Sequence, residues 1–200
     1  SALAFTVLLW VDSDYSPELI MRLTALGAVA VQETLAGNYG LPAKIKWPND
    51  VLLNGRKTSG ILAESLWQDG VVQAVILGIG VNVAPPSVPP ADQVQFPATC
   101  VETTAGRPID RINLLDALLR ALFDWRARLT TPAFLHAWEK RLAFMGEPVQ
   151  LTRIGQPPIT GRLTGITPLG ELRLTMPNGE KKNFPAGDLH LRRIGKNPVQ

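Results

Sequence analysis

Apolar runs at the start of the chain predict one strand followed by one helix. Residues 3–11 are apolar with few breaks, a pattern typical of a strand that is covered on both faces. After a turn over residues 12–16, Ser16 is followed by proline and glutamate, which is typical of a helix N-terminus. The helix is predicted to end near Gly37. Its apolar face recurs at steps of three and four residues, at Leu19, Leu23, Leu26 and Ala30.

Short apolar runs between residues 43 and 83 predict an antiparallel meander. The pairs Asn54-Gly55 and Asp69-Gly70 interrupt these runs, and such pairs between hydrophobic residues are strong hairpin signals. The predicted strands cover residues 51–53, 56–64 and 71–81.

A proline-rich loop and two helices are predicted after the meander. Residues 84–97 contain five prolines, which excludes regular structure and indicates a surface loop. One helix is predicted from Asp110 to about Leu129, and another over residues 131–144. The first is assigned a buried stripe of Ile112, Leu115, Leu119 and Leu122, with ion pairs Asp116–Arg120 and Asp124–Arg128 on its solvent side.

The pattern changes again after Gly146. Short runs of alternating apolar and polar residues follow, with turns at Leu169-Gly170 and at residues 177–179. The predicted strands cover residues 149–151, 159–166, 171–175 and 189–193. A segment of this kind is typical of a small barrel, so a second, smaller domain is expected here.

Composition narrows the class of protein. Two hundred residues with 46% hydrophobic content can bury a full core, which fits one domain with a small additional one. The net charge of +3 comes without any run of five like charges, so a nucleic-acid-binding surface is not indicated. The single Cys100 fits a reducing compartment. No apolar run is interpreted as long enough to span a membrane.

The densest group of charged residues lies around the first hairpin turn. Lys46, Asp50 and Lys57 are compressed around a Trp-Pro bend between two apolar runs. Two ammonium groups beside one carboxylate suit an anionic ligand, most simply a phosphate or a small carboxylate. The alternative is that these residues are solvated charges on an exposed hairpin.

A second candidate site is the sequence Gly78-Ile79-Gly80-Val81-Asn82. Taken alone it is weak, because the third glycine of a dinucleotide-binding fingerprint is absent. Taken without further context, the favoured explanation is structural, with two glycines that let the strand pack closely against its neighbours. His136 and His190 stand far apart without other metal-ligand residues beside them, so no metal or catalytic role is expected for either.

Lys-Trp-Pro-Asn-Asp at 46–50, followed by Arg-Lys-x-x-Gly-Ile-Leu at 56–62, resembles the central motif of biotin protein ligases, the biotin–[acetyl-CoA-carboxylase] ligases. Lipoate ligases share the fold but lack the Trp-Pro-Asn-Asp string. The resemblance implies an α+β fold, with a mixed, largely antiparallel sheet backed by helices in a class II synthetase-like catalytic domain over residues 1–145. It also implies an SH3-like barrel over residues 147–194.

The family resemblance further implies a two-step reaction. The biotin carboxylate attacks the α-phosphate of ATP to give biotinyl-AMP, and a lysine of a biotin carboxyl carrier protein then attacks this mixed anhydride. Lys57 would lie between the biotin carboxylate and the α-phosphate, Lys46 would contact the phosphates, and Asp50 would serve either magnesium or the incoming amine. The ligand contacts implied are Gly60 and Ile61 for biotin, and Gly78, Gly80, Asn82 and Ala84 near ATP.

The resemblance also sets expectations about partners and gaps. It implies a cytoplasmic enzyme with no membrane or nucleic-acid partner, and it is compatible with a homodimer. The glycine- and arginine-rich loop and the Glu-Thr-x-Ser-Thr segment of the family are absent from the 200 residues, which begin at Ser1 inside a predicted strand. The chain is therefore expected to be part of a longer product and to bind biotin and ATP poorly alone. The rival hypotheses are a non-catalytic carrier-binding module and a lipoate-type ligase.

Overall fold

In the computed structural model of the protein, the strands of the described residues form two separate antiparallel sheets of five strands each. The structure describes residues 1–11, 17–94, 96–153, 155–186 and 190–194, and of Pro17 and Glu18 only the backbone. The turn predicted at 12–16, the helix N-cap predicted at Ser16 and the strand start predicted at residue 189 lie outside the described residues.

The first sheet contains the predicted meander. In chain order its strands are β1 Ala2–Trp10, β2 Ala43–Lys46, β3 Asp50–Leu53, β4 Arg56–Gln68 and β5 Val71–Asn82, and in space they run β1-β5-β4-β3-β2. Both predicted hairpin turns are confirmed. Asn54 and Gly55 have φ of 49° and 76°, and Asp69 and Gly70 have φ of 51° and 78°, as the tight turns that suit right-handed strand twist require.

Strand β1 was predicted to be covered on both faces, and this was wrong. Among the described residues it pairs only with β5, at the edge of the sheet, and its residues alternate between exposed positions and partly or fully buried ones. Trp10 is 67% exposed, whereas Leu9 is 1% exposed. A nearly continuous apolar run cannot distinguish an internal strand from an edge strand with one apolar outer face, because both lack polar residues.

The first helix packs on the inner face of this sheet. Helix α1, Pro17–Glu33, continues into a π-helical turn, Thr34–Asn38, so the predicted end near Gly37 is confirmed to within one residue. Its length corrects one interpretation, because Leu19–Asn38 is long and apolar enough to cross a membrane. Of an 18-residue stretch within this segment, 61% is buried inside the protein, as is typical of the core helix of a globular protein.

Two of the later helix predictions need correction. Helices α2 Val101–Ala105, α3 Arg111–Arg126 and α4 Pro132–Lys140 follow the proline-rich loop. Helix α4 ends four residues before the predicted Phe144. In α3 the buried residues are Leu114, Leu118 and Leu122, whereas Ile112 is 74% exposed and Leu115 and Leu119 are only partly buried.

The solvent side of α3 confirms one of its two predicted ion pairs. Arg120 Nε lies 2.8 Å from Asp116 Oδ2, and this hydrogen bond lowers the pKa of the Asp116 carboxyl. The guanidinium of Arg128 instead lies over the ring of Trp125, 5.5 Å from its centroid.

The second sheet lies entirely within residues 148–193. Its strands are β6 Pro148–Thr152, β7 Ile159–Ile166, β8 Leu172–Thr175, β9 Lys181–Phe184 and β10 His190–Arg193, in the order β10-β6-β7-β8-β9. The sequence interpretation missed β9, because Lys-Lys-Asn-Phe has no apolar alternation. A single cluster of buried apolar side chains runs through both sheets. Closure of the second sheet into a barrel and the domain boundary at 145–147 stay predictions.

Candidate active site

The charged group is built by the two hairpins of β2, β3 and β4. Lys46 at the end of β2 pairs in register with Asp50 at the start of β3, and Asp50 in turn pairs with Gly60 of β4. Lys46 and Asp50 therefore sit opposite each other, with the Trp47-Pro48-Asn49 bend between them. This bend includes a cis peptide bond before Pro48.

Asp50 forms ion pairs with both lysines. Its Oδ2 lies 2.9 Å from Lys46 Nζ, and its Oδ1 lies 2.5 Å from Lys57 Nζ. The side chains of Lys46 and Asp50 are each 10% exposed, whereas that of Lys57 is 41% exposed. The group carries one net positive charge, and Lys57 is the cation that solvent or a ligand can reach. This geometry contradicts the alternative of solvated charges on an exposed hairpin for Lys46 and Asp50.

A break in strand register directs Lys57 over Gly60. Leu52 pairs with Lys57 but Val51 pairs with Ser59, so Thr58 is an extra residue on β4. Such a bulge reverses which face the following residues occupy and brings residues 57 and 60 to the same face. A Cβ added to Gly60 would lie 3.3 Å from both Cε and Nζ of Lys57. The lysine side chain thus lies across the glycine.

The bend also fixes the backbone of β4 beside this glycine. The side-chain amide of Asn49 donates to the carbonyl of Ile61 at 2.8 Å, and the Ile61 N–H donates to the Asn49 carbonyl at 2.9 Å. Asn49 therefore aligns β4 with the Lys46–Asp50 bend through two hydrogen bonds.

Two cavities meet at this point. The first has a volume of about 550 Å³ and contains the whole charged group together with Asn82 and Phe96. The second has a volume of about 500 Å³ and is lined largely by strand residues of β1, β4 and β5, including Phe5, Leu62 and Ile79. Lys57, Gly60 and Gly80 line both. The reachable ammonium group thus stands at the junction between a cationic cavity and a mainly apolar one.

The structure brings most of the predicted site residues to these cavities. Those lining the first are Lys46, Asp50, Lys57, Gly60, Gly80 and Asn82, and those lining the second are Lys57, Gly60, Ile61, Gly78 and Gly80. Ala84 lines neither cavity, since it lies beyond β5, where its N–H donates to the carbonyl of Ser1 at 3.1 Å. The side chain of Asn82 donates to the Thr99 carbonyl at 3.1 Å.

Sequence reasoning missed several lining residues. Phe96 comes from the proline-rich loop, and Lys46 Nζ lies 4.8 Å from the centroid of its ring. His190 comes from β10 of the second sheet and lines the first cavity. Neither has a local signal, because each reaches the site only through tertiary packing. Thr6, by contrast, lies on the exposed face of β1, and its polarity within an apolar strand was a usable signal.

The described residues contain no group of three or more His, Cys, Asp or Glu side chains that could hold a metal ion. Both carboxylate oxygens of Asp50 face lysine ammonium groups. A dication bound directly to Asp50 would have to displace one of these cations, so the donor set suits lysine positioning better than a resident metal.

Comparisons with protein families match the two sheets separately. The profile of the biotin/lipoate A/B protein ligase family matches residues 1–82, which cover the first sheet and α1. The profile of the biotin protein ligase C-terminal domain matches residues 144–192, which cover the second sheet.

Individual relatives extend this similarity over most of the chain. A biotin–[acetyl-CoA-carboxylase] ligase of Paracoccus denitrificans is 39% identical over 176 residues, covering 84% of this chain and 72% of the relative. The bifunctional ligase/repressor BirA of Bacillus spizizenii is 32% identical over 186 residues, covering 89% of this chain but only 57% of that protein. The biotin protein ligase of Aquifex aeolicus in complex with biotin and ATP is similar in structure, with a TM-score of 0.77 and 28% identity over 96% of this chain and 78% of the other.

Proposed function

Because the chain belongs to the biotin protein ligase family, we propose that it carries the catalytic site that activates biotin with ATP and transfers it to a lysine of a biotin carboxyl carrier protein. The observation that carries this proposal is the junction of the two cavities at Lys57. A reaction that joins a carboxylate to a phosphate needs one binding site for each, with positive charge where their oxygens meet.

The second cavity suits biotin. Leu62 of β4 and Ala4 of β1 supply apolar side chains for its ring system and aliphatic chain. Gly78 leaves the backbone uncovered, since a Cβ added there would lie 3.7 Å from the Leu62 carbonyl oxygen. Backbone groups of strands β4 and β5 are then within reach of a small ligand. The side-chain amide of Asn49, which also lines this cavity, already donates a hydrogen bond to the Ile61 carbonyl.

The first cavity suits ATP. Lys46 and Lys57 supply cations for phosphate oxygens, and Phe96 supplies an aromatic ring beside them. Gln93 and Val94 of the proline-rich loop line the same cavity. A nucleotide bound here would have its α-phosphate nearest the end of the cavity that Lys57 shares with the biotin site.

The first step is a displacement at phosphorus. A biotin carboxylate oxygen forms a bond to the α-phosphorus, the bond to the bridging oxygen breaks, and pyrophosphate leaves with the electron pair. Lys57 faces both anions and reduces their repulsion as they approach. Lys46 is held by Asp50 on the phosphate side of the junction.

The second step is acyl transfer. The neutral amine of the carrier lysine attacks the carbonyl carbon, the bond to the AMP oxygen breaks, and AMP leaves. The attacking nitrogen gives up one proton to solvent water as the amide forms, and Asp50 is the carboxylate of the site. Since Asp50 already accepts from two ammonium groups, its main role in this proposal is to hold Lys46 and Lys57 in place. Magnesium would enter with the phosphates of ATP as part of the substrate.

Two alternatives remain distinguishable from this function. A lipoate-type ligase would use the same junction with a different acyl group, and a non-catalytic carrier-binding module would use neither cavity. Cytoplasmic location, homodimer formation and the absence of nucleic-acid partners stay predictions, of which the dimer can be tested by sedimentation.

The test is isotope exchange between pyrophosphate and ATP, measured with protein expressed from its full reading frame. We expect exchange that depends on biotin and does not occur with lipoate in its place. Equal exchange with lipoate would favour the lipoate ligase. No exchange with either acid, by a protein that binds the carrier domain, would favour the non-catalytic module.

A further inference from the structure

The tryptophan of the Lys46–Asp50 bend connects the active site to the second sheet. Trp47 is 1% exposed, and its indole N–H donates to the Gly170 carbonyl at 3.0 Å. Gly170 ends the turn between β7 and β8, and it is 123 residues away in sequence. Trp47 stands between the two charged residues of the bend, and its side chain is therefore hydrogen-bonded to the β7–β8 turn of the second sheet.

The turn that receives this bond is itself held against the first domain. Arg22 of α1 donates to the Pro168 carbonyl at 2.9 Å, and the Glu139 carboxylate of α4 accepts from the Ile166 N–H at 3.0 Å. Gly170 has a φ of +80°, and a Cβ there would lie 2.8 Å from the ring of Trp138. The turn is thus a fixed support and cannot easily move with the bend.

The residue on the other side of Lys46 is anchored as well. The N–H of Ile45 donates to the Arg141 carbonyl at 2.9 Å, and the N–H of Ala143 donates to the Ile45 carbonyl at 2.7 Å. Residues 141–143 lie in the segment that joins α4 to the second sheet. The backbone of Lys46 is therefore supported on one side by this segment and on the other by Gly170.

We propose that Trp47 is a positioning residue, through which the docked second sheet holds Lys46 and Asp50, and thereby Lys57, in the geometry needed for adenylate formation. This inference rests on the proposed function for its catalytic consequence, but the mechanical coupling does not depend on it. Loss of the Trp47–Gly170 bond leaves every charge of the site present and changes only how firmly the bend is held.

The chain offers a matched control for this idea. Trp138 is also fully buried and packs against the same Gly170, but among the described residues its indole nitrogen has no hydrogen-bond partner. Trp47→Phe and Trp138→Phe therefore remove the same atoms from the same core. Only Trp47→Phe removes a hydrogen bond, and only Trp47 adjoins the charged group.

The experiment compares these two variants with the wild type in the full-length protein. Hydrogen exchange of the backbone amides of residues 45–53 reports the coupling, and biotin-dependent pyrophosphate release reports its catalytic effect. We expect Trp47→Phe to speed exchange in this segment and to lower kcat about tenfold or more, with KM for biotin unchanged. Trp138→Phe should change neither the exchange of this segment nor kcat, even if the two variants lower the melting temperature by similar amounts.

Two results would overturn the inference. One is unchanged exchange and kcat in Trp47→Phe, and the other is an equal effect of both variants, which would reduce Trp47 to a core side chain. If the wild type releases no pyrophosphate, the proposed function fails, and the hydrogen-exchange comparison still decides whether the second sheet holds the bend.

Discussion

At the scale of single residues, the site depends on one carboxylate shared by two cations. Lys46 and Asp50 are nearly buried, so their pairing satisfies charges that would be costly to bury alone. Lys57 differs because its side chain remains accessible at the junction of the cavities. Its contribution to catalysis should therefore exceed its contribution to stability.

Replacing Lys57 with alanine tests this separation. We expect Lys57→Ala to abolish adenylate formation, measured as pyrophosphate release with biotin and ATP, while the thermal unfolding transition stays close to that of the wild type. Lys44→Ala, which removes an exposed lysine from β2, is the control and should keep full activity. A folded and fully active Lys57→Ala protein would remove Lys57 from the mechanism.

Gly60 provides a steric test of the position of Lys57. A methyl group at Gly60 would meet Lys57 Cε and Nζ at 3.3 Å, so the ammonium group must shift by a few tenths of an ångström. We expect Gly60→Ala to lower kcat by about tenfold while the protein remains folded. Gly37→Ala is the control, because a Cβ there has no atom within 4 Å. Equal kcat for the two variants would show that the exact position of Lys57 is unimportant.

At the scale of elements, the β3–β4 hairpin sets the geometry of the site. Its turn, its bulge and its pairing with β2 together determine where Lys57 and Asp50 stand. The Asn54-Gly55 signal allowed the turn to be predicted from sequence, because few residue pairs accept positive φ at both positions. The bulge at Thr58 could not be predicted, since no residue type marks it.

The turn itself can be tested at Gly55. This residue has a φ of 76°, which an L side chain adopts only with strain. A Cβ at Gly55 would meet no atom within 4 Å, so the cost of Gly55→Ala is conformational and not steric. We expect the free energy of unfolding to fall by about 1 kcal/mol in chemical denaturation. A stability equal to that of the wild type would indicate that the hairpin relaxes into another turn.

The errors at this scale have physical causes. The buried stripe of α3 was predicted at the wrong positions because Ile112 and Leu114 are equally apolar. Only the packing of α3 on α1 decides which of them is buried. Strand β1 was predicted to be covered on both faces because its outer face carries the apolar Leu8 and Trp10, which are exposed in the structure. Apolar pattern alone cannot tell which apolar residues meet a neighbour.

At the scale of the whole molecule, the second sheet forms part of the first cavity. Its separate formation was predictable from the change in sequence pattern after Gly146, but the residue by which it reaches the active site was not. His190 lines the first cavity beside the lysines, although its isolation in the sequence suggested no role. Contacts between distant segments leave no signal in local sequence.

His190 therefore gives a prediction about nucleotide binding. Its imidazole can donate a hydrogen bond to ATP, and one such bond contributes roughly 0.5–1.5 kcal/mol. We expect His190→Ala to raise KM for ATP by about three- to tenfold and to leave KM for biotin unchanged, since His190 lines only the first cavity. His136→Ala, at an exposed position of α4, is the control. An unchanged KM for ATP would exclude contact between His190 and the nucleotide.

The central claim is that biotin's carboxylate oxygen attacks the α-phosphorus of ATP at the junction beside Lys57. It is tested most directly by following that oxygen with biotin labelled with ¹⁸O in its carboxylate. During transfer to the carrier lysine, mass spectrometry should find one labelled oxygen in each AMP, because the oxygen that joined phosphorus stays with it when the carbonyl carbon is attacked. Unlabelled AMP, or label in pyrophosphate, would contradict the account.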